Sequence, residues 1–330
     1  MRRGLLALLL LFSLAWAATP ENPFARRVYY AWKLVKDLYY DPGYHGVDWE
    51  AVGRRYLKKA EGLKDWDATF ALVREMYAEL GDAHSTYLDP ERARVLAGAA
   101  CYRVPYPEVW KHPPRIKPDE ASSPAGGDGG AWGGASARMV RGFLVLRLPD
   151  LVEAENYGKI AAGLRAHPEA RGVVLDLRGN PGGLVFEMAR TAALFVRGWP
   201  WRLVQRGLGA VPLPTLPFWG EPEIADRPLA VLVDGGVNSA AEGLAGALKN
   251  AGRAKVIGEA TAGNTEAIVP YCFPEGSMAL IAVGVLAPLK GPTWEGRGVV
   301  PDLEADPEEA LNAALRYLET ATQGKGKGSR

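Results

Sequence analysis

The chain has 330 residues, 48% of them hydrophobic and 23% charged, with a formal charge of +1. That is the composition of a globular protein able to bury a sizeable core, with room for one large domain or two smaller ones. The balanced charge, with no basic run or aromatic-basic stripe, argues against a nucleic-acid partner.

Residues 1–17 read as an export signal: Arg2 and Arg3, then an apolar stretch over 5–14, then Ala15-Trp16-Ala17 as cleavage site. The mature protein is therefore expected to be exported (periplasm, cell envelope or outside). Membrane association is expected only if this segment stays uncleaved. Asn22-Pro23 starts a helix with Val28, Trp32, Val35 and Tyr39 at helical spacing. A second helix starts at Asp48, and a third at Asp67 with Phe70, Val73, Tyr77 and Leu80 inward. These make a small helical subdomain over 18–98, ending in a loop at 81–88 that carries His84 between Ala83 and Ser85. Asp89-Pro90 caps one more short helix. Residues 101–110 read as a strand, and the Pro/Gly/Ser-rich stretch 111–134 as a linker or surface loop, within a connecting region over 99–136.

Beyond it, strands and helices alternate. Strands are expected at 142–148, 172–177, 229–233 and 255–258, and helices at 156–166, at 184–196 and after Ser239. Two stretches rich in β-formers follow at 266–271 and 278–286, and Asp306-Pro307 caps a last helix. Residues 198–224, rich in Pro, Gly and Trp, read as a surface excursion, and 320–330 as a disordered tail. Single helices between strands imply parallel pairing with right-handed crossovers. Cys101 and Cys272 fit either one disulfide or two buried thiols. No metal-binding spacing occurs, so neither a metal nor another cofactor is expected.

Three short segments could carry chemistry. Ser239 stands where the strand at 229–233 gives way to a helix, a setting where a hydroxyl is exposed beside free N–H groups. Ser239-Ala-Ala-Glu242 also has the form of a capping box, a purely structural device. Arg178-Gly-Asn-Pro-Gly-Gly183 follows the strand at 172–177. Its glycines fit a tight turn, or one half of an oxyanion hole whose other half is the Ala240 N–H. Glu295 sits in a Gly-punctuated turn, where it is either a surface glutamate or the acceptor that fixes a histidine tautomer.

In chain order, LGDAHSTYL, GVVLDLRGNPGG, PLAVLVDGGVNSAAEGLAGAL, VIGEATAG and GRGVVPD resemble the S41 serine peptidases, the tail-specific or C-terminal processing proteases. The resemblance implies an α/β fold (α+β overall), with the helical subdomain joined to a ClpP/crotonase-like β-α spiral core over 137–319. It also implies hydrolysis of proteins or peptides through an acyl-enzyme on Ser239. One branch of the family uses a lysine after the T-x-G of the VIGE segment, but Asn264 stands there, and an amide cannot accept a proton. The tricorn-type branch uses a histidine and a glutamate instead. This implies His84 as general base, Glu295 as its orienter, Ala240 with Gly182 or Gly183 as oxyanion donors, and Ser85 as a helper beside the histidine. The region between Asp89 and Arg141 is too short for the PDZ module common in processing proteases, so none is expected. Rival readings are an inactive S41-like binding protein, a crotonase-type acyl-transfer enzyme, and Cys272 as nucleophile.

Overall fold

The computed structural model describes residues 19–82, 84–96, 101–111, 134–216 and 227–325. The export signal, most of the Pro/Gly/Ser-rich linker with its expected lack of a PDZ module, and residues 326–330 lie outside the described residues.

Helix α1 (Pro23–Leu38) begins as its sequence dictates: Asn22 Oδ1 accepts from the Phe24 and Ala25 N–H groups, and proline occupies the first turn. Asp48 caps α2 (Trp49–Ala60) through the Ala51 N–H. The cap of α3 (Trp66–Ala78) is Asp65, not Asp67, which falls inside the first turn. Strand β1 (Thr86–Leu88) follows the His84 loop, and Asp89 caps the short α4 (Pro90–Ala93). The strand expected over 101–110 shrinks to β2 (Tyr102–Arg103) followed by α5 (Pro107–Lys111), because Pro105 and Pro107 cannot donate to a ladder.

Then come β3 (Ser136–Val140), a strand not foreseen, and β4 (Phe143–Arg147), joined by a hairpin whose Arg141 and Gly142 both have positive φ. After them run α6 (Ala154–Ala166), β5 (Val173–Asp176) and α7 (Val185–Ala193). Part of the supposed surface excursion is a hairpin, β6 (Trp201–Gln205) with β7 (Gly209–Leu213). Its anchor is Trp201, fully buried, with the indole N–H donating to the Gly243 carbonyl at 2.8 Å. The chain closes with β8 (Leu229–Val233), α8 (Ala240–Asn250), β9 (Lys255–Gly258), β10 (Glu266–Cys272), β11 (Met278–Pro288), β12 (Leu303–Glu304) and α9 (Ala310–Lys325). Helix α9 runs into the region expected to be a disordered tail.

The strands form two sheets. The first has the order β12-β9-β8-β5-β4-β3, parallel throughout except for the β3–β4 hairpin. Alternation along its buried strands sends Val173, Leu175, Val231 and Val233 into one core with α6, α7 and α8. Val174, Ala230, Leu232 and Ile257 point the other way, onto Ala314, Leu315 and Leu318 of α9. The second sheet has the order β2-β10-β11-β6-β7, mainly antiparallel, with β1 also pairing β11. The parallel pairing expected of strands separated by single helices holds in the first sheet, for β4–β5, β5–β8 and β8–β9. The helical unit shares a core with this second sheet, in which Val28, Tyr77 and Tyr87 pack with Phe273 and Ile281. It is thus not a separate packing unit. Among the described residues no helix is long and apolar enough to cross a membrane.

Cys101 and Cys272 form a disulfide, with Cα atoms 5.8 Å apart although the residues are 171 positions apart in sequence. Closing so long a loop contributes about 2–5 kcal/mol. Scanning calorimetry of Cys101→Ser is expected to show Tm lowered by roughly 5–15 °C. An unchanged Tm would remove the bond from the list of what holds β2 to β10.

Candidate active site

Ser239 is placed by two loops that grip each other. Asp234 Oδ1, just past β8, accepts from the Gly179 N–H at 2.8 Å and the Gly236 N–H at 2.9 Å, and the Asn238 N–H donates to the Asn180 carbonyl at 3.0 Å. Ser239 itself has φ 53° and ψ −124°. A simple N-cap residue sits in the β region, so this backbone departs from ordinary capping. Held strain of this kind costs about 1–3 kcal/mol and occurs where a strand-to-helix turn thrusts a nucleophile outward.

Glu242 forms its half of the capping box, with Oε1 accepting from the Ser239 N–H at 3.1 Å. It does more than cap. The same fully buried carboxylate accepts from Thr261 Oγ1 at 2.5 Å, from the Gly263 N–H at 2.7 Å and from the Asn264 N–H at 2.8 Å. Glu242 therefore ties the start of α8 to residues 261–264, a role that sequence spacing alone did not reveal.

Gly182 lies against this turn. A Cβ placed there would stand 2.8 Å from Ser239 Cβ and 2.9 Å from Ala240 N, so only glycine fits. Its N–H is already engaged, donating to Asn180 Oδ1 at 2.8 Å. The Gly183 N–H, like that of Ala240, has no acceptor among the described residues.

Residues 264–266 are where the distant segments meet. The Ser239 N–H donates to the Asn264 carbonyl at 3.0 Å. The Thr265 N–H and Oγ1 donate to Glu295 Oε2 at 2.6 and 3.1 Å. Glu266 Oε2 lies 3.0 Å from His84 Nδ1. Three consecutive residues, about 7 Å of chain, thereby hold the serine turn, the Glu295 turn and the histidine.

This corrects one expectation. The carboxylate on the imidazole is Glu266; Glu295 binds Thr265 and acts on the ring through its charge. Glu266 is 3% exposed, and its Oε1 is buried with no hydrogen-bond partner among the described residues. Ser85 is likewise an anchor. Its Oγ accepts from the Ala282 N–H of β11 at 3.1 Å, while Asp82 Oδ1 accepts from the His84 N–H at 2.9 Å and from the Ser85 N–H. The histidine loop is therefore held on both sides.

The electrostatics follow from this geometry. The hydrogen bond to Glu266 raises the His84 pKa above its ordinary 6.5, against the opposing effect of burial, and the charges of Glu266, Glu295 and Asp82 add to the rise. Burial raises the Glu295 pKa, with repulsion from Glu266 adding and the Thr265 bonds opposing. A cavity of about 720 Å³ at the far end of α8, lined in part by Trp199, Lys249 and Trp294, contains none of Ser239, His84, Glu266 and Glu295, so it is not the site of this chemistry.

Residues 142–305, which carry Ser239, Glu266 and Glu295, match peptidase family S41, and residues 29–78 match the tricorn protease C1 domain. The chain belongs to peptidase family S41. A probable CtpA-like serine protease of Staphylococcus aureus is 32% identical over 147 residues, covering 44% of this chain and 29% of that protein. A carboxyl-terminal-processing protease of Picosynechococcus is 34% identical over 153 residues, covering 46% of this chain and 35% of that one. The chain thus spans about a third of the length of the curated relatives it matches. The S41 fold itself extends further: the photosystem II D1 C-terminal processing protease superposes with a TM-score of 0.66 at 21% identity, over 90% of this chain and 97% of that one.

Proposed function

We propose that this S41 chain is an exported serine peptidase that hydrolyses peptide bonds of proteins or peptides through an acyl-enzyme on Ser239. The observation that carries the reading is the convergence of the Ser239, His84 and Glu295 segments on residues 264–266. Neutral His84 takes the Ser239 proton as Oγ attacks the peptide carbonyl carbon. Glu266 holds the Nδ1–H and stabilises the imidazolium, and Glu295 adds a second negative charge facing the ring. The Ala240 and Gly183 N–H groups receive the developing oxyanion, each donor contributing roughly 3 kcal/mol. His84 then returns the proton to the leaving amine, and water attacks the ester by the same route. The uncharged Asn264 side chain leaves the imidazole as the base. Export is supported by the composition of residues 1–17 and by the Cys101–Cys272 disulfide, a bond of oxidising compartments.

Labelling of Ser239 by a fluorophosphonate, followed across pH, tests this reading. The rate is expected to rise with pH through a histidine pKa above 6.5, since only the neutral ring is a base. The stabilising His84–Glu266 pairing has the opposite dependence: it is complete below about 6.5 and is lost as pH rises through the folded-state pKa. A protein that is never labelled is a binding protein. One labelled at a constant rate between about pH 5 and 9 uses some other base.

A further inference from the structure

The turn that follows α1 aims a second histidine at the edge of the site. Tyr44 and His45 have φ 47° and 54°, two consecutive non-glycine residues in the left-handed region. Such backbone is costly and persists only where its surroundings impose it. Asp41 imposes it here, accepting from the Gly43 N–H at 2.9 Å and the His45 N–H at 2.6 Å. The imidazole is thereby folded back onto the end of α1. Its Nε2 lies 2.9 Å from the Tyr40 hydroxyl and 3.4 Å from that of Tyr39.

Tyr40 is tied to the histidine loop through one residue of β11. The Tyr40 N–H donates to the Ala282 carbonyl at 3.0 Å, and the Ala282 N–H donates to Ser85 Oγ. The Tyr40 hydroxyl faces the carboxylates of the site. Burial raises its pKa above the ordinary 10, and the charges of Glu266, Glu295 and Asp41 add to the rise. Tyr39 faces Asp82 and Glu266 in the same way. The Tyr40 hydroxyl therefore keeps its proton and stays a donor wherever the site works. Glu266, for its part, places Oε2 on His84 Nδ1 and leaves Oε1 buried with no partner among the described residues. Hydrogen bonds at catalytic sites are often long without substrate and tighten when it binds.

We propose that Tyr40 is a positioning residue for Glu266: His45 Nε2–H donates to the Tyr40 oxygen, and the Tyr40 O–H donates to Glu266 Oε1. Glu266 is then held at both oxygens while it orients His84. No proton travels along this chain. Its two hydrogen bonds fix where the carboxylate points and temper its pull on the imidazolium. The inference rests on the peptidase reading of Ser239 and His84.

Tyr40→Phe keeps the ring, its contact with Tyr39 and the backbone bond to Ala282, and removes only the hydroxyl. It is expected to lower kcat for peptide hydrolysis roughly 3- to 10-fold with KM unchanged. With one donor fewer, Glu266 pulls harder on the imidazolium, so the acid limb of the pH profile should move up by about 0.5 pH unit. A limb that stays in place, or a loss confined to KM, overturns the assignment. His45→Gly suits the positive φ and should give a smaller shift in the same direction. Combined with Tyr40→Phe it should add nothing, because it acts through the hydroxyl. A limb that moves down in His45→Gly means that His45 takes the Tyr40 proton instead, which overturns the chain of donors. Histidine NMR of Ser239→Ala protein, with and without Tyr40→Phe, reads the same His84 shift without activity. That shift in a protein never labelled by a fluorophosphonate keeps the Tyr40–Glu266 bond and removes the peptidase. Labelling with an unmoved His84 keeps the peptidase and removes the role of Tyr40.

Discussion

Ser239→Ala is expected to lower kcat for peptide hydrolysis by about 10⁴- to 10⁶-fold without unfolding the protein. On the proposed mechanism the loss is large because the Ser239 Oγ itself forms the bond to the substrate carbonyl and nothing in alanine replaces it. The fold should survive because what holds position 239 is its backbone. The N–H bonds to Asn264 and Glu242 and the close packing of Gly182 on Cβ are all kept by alanine. Ser239→Gly should be equally inactive but no less stable. Release of a positive-φ strain of about 1–3 kcal/mol offsets the added unfolded-state entropy of about 0.5–1 kcal/mol. Mass spectrometry of a digested protein substrate, with a thermal melt alongside, reads both effects. Hydrolysis by Ser239→Ala near the unaltered rate would mean that another nucleophile is at work.

Glu266→Gln is expected to cost about 10⁴-fold in kcat with little change in KM. A glutamine can turn its amide N–H toward Nδ1, which would push the ring proton to the nitrogen that must act as base. It also removes the main cause of the raised His84 pKa, so the acid limb of the residual activity should move to lower pH. A merely structural defect would not move that limb. Glu295→Gln should cost less, because the Glu295 carboxylate is bonded to Thr265 and reaches the imidazole only through its field. Paired kcat and pH profiles of the two variants decide the matter. If Glu295→Gln proves the more damaging and Glu266→Gln leaves the pH profile in place, Glu266 is only a packing residue.

The consequences of these two changes differ in how far they could be foreseen. The strand-to-helix turn that carries Ser239 was legible from local patterning: a short apolar strand, a glycine turn and a small-residue helix follow one another in the chain. The helix caps at Asn22 and Asp48 were legible for the same reason, since a cap is a contact within three residues. The contact between Glu266 and His84 was not, for two reasons. The two residues are 182 positions apart, and the strand that carries Glu266 has a bulge between Ala267 and Ile268, which breaks the alternation that tells which way a side chain points.

The β6–β7 hairpin was hidden differently. Its Pro/Gly-rich surroundings resemble a loop, and only pairing with β11 and the burial of Trp201 make it a strand pair. By itself, then, the sequence determined the elements whose signals are local: caps, buried parallel strands, the serine turn and the absence of a lysine at 264. Tertiary structure alone decided which carboxylate meets the imidazole, which glycine keeps a free N–H and how the second sheet is assembled. The physical reason is that those outcomes depend on contacts between residues far apart in the chain, and neither periodicity nor spacing records such contacts.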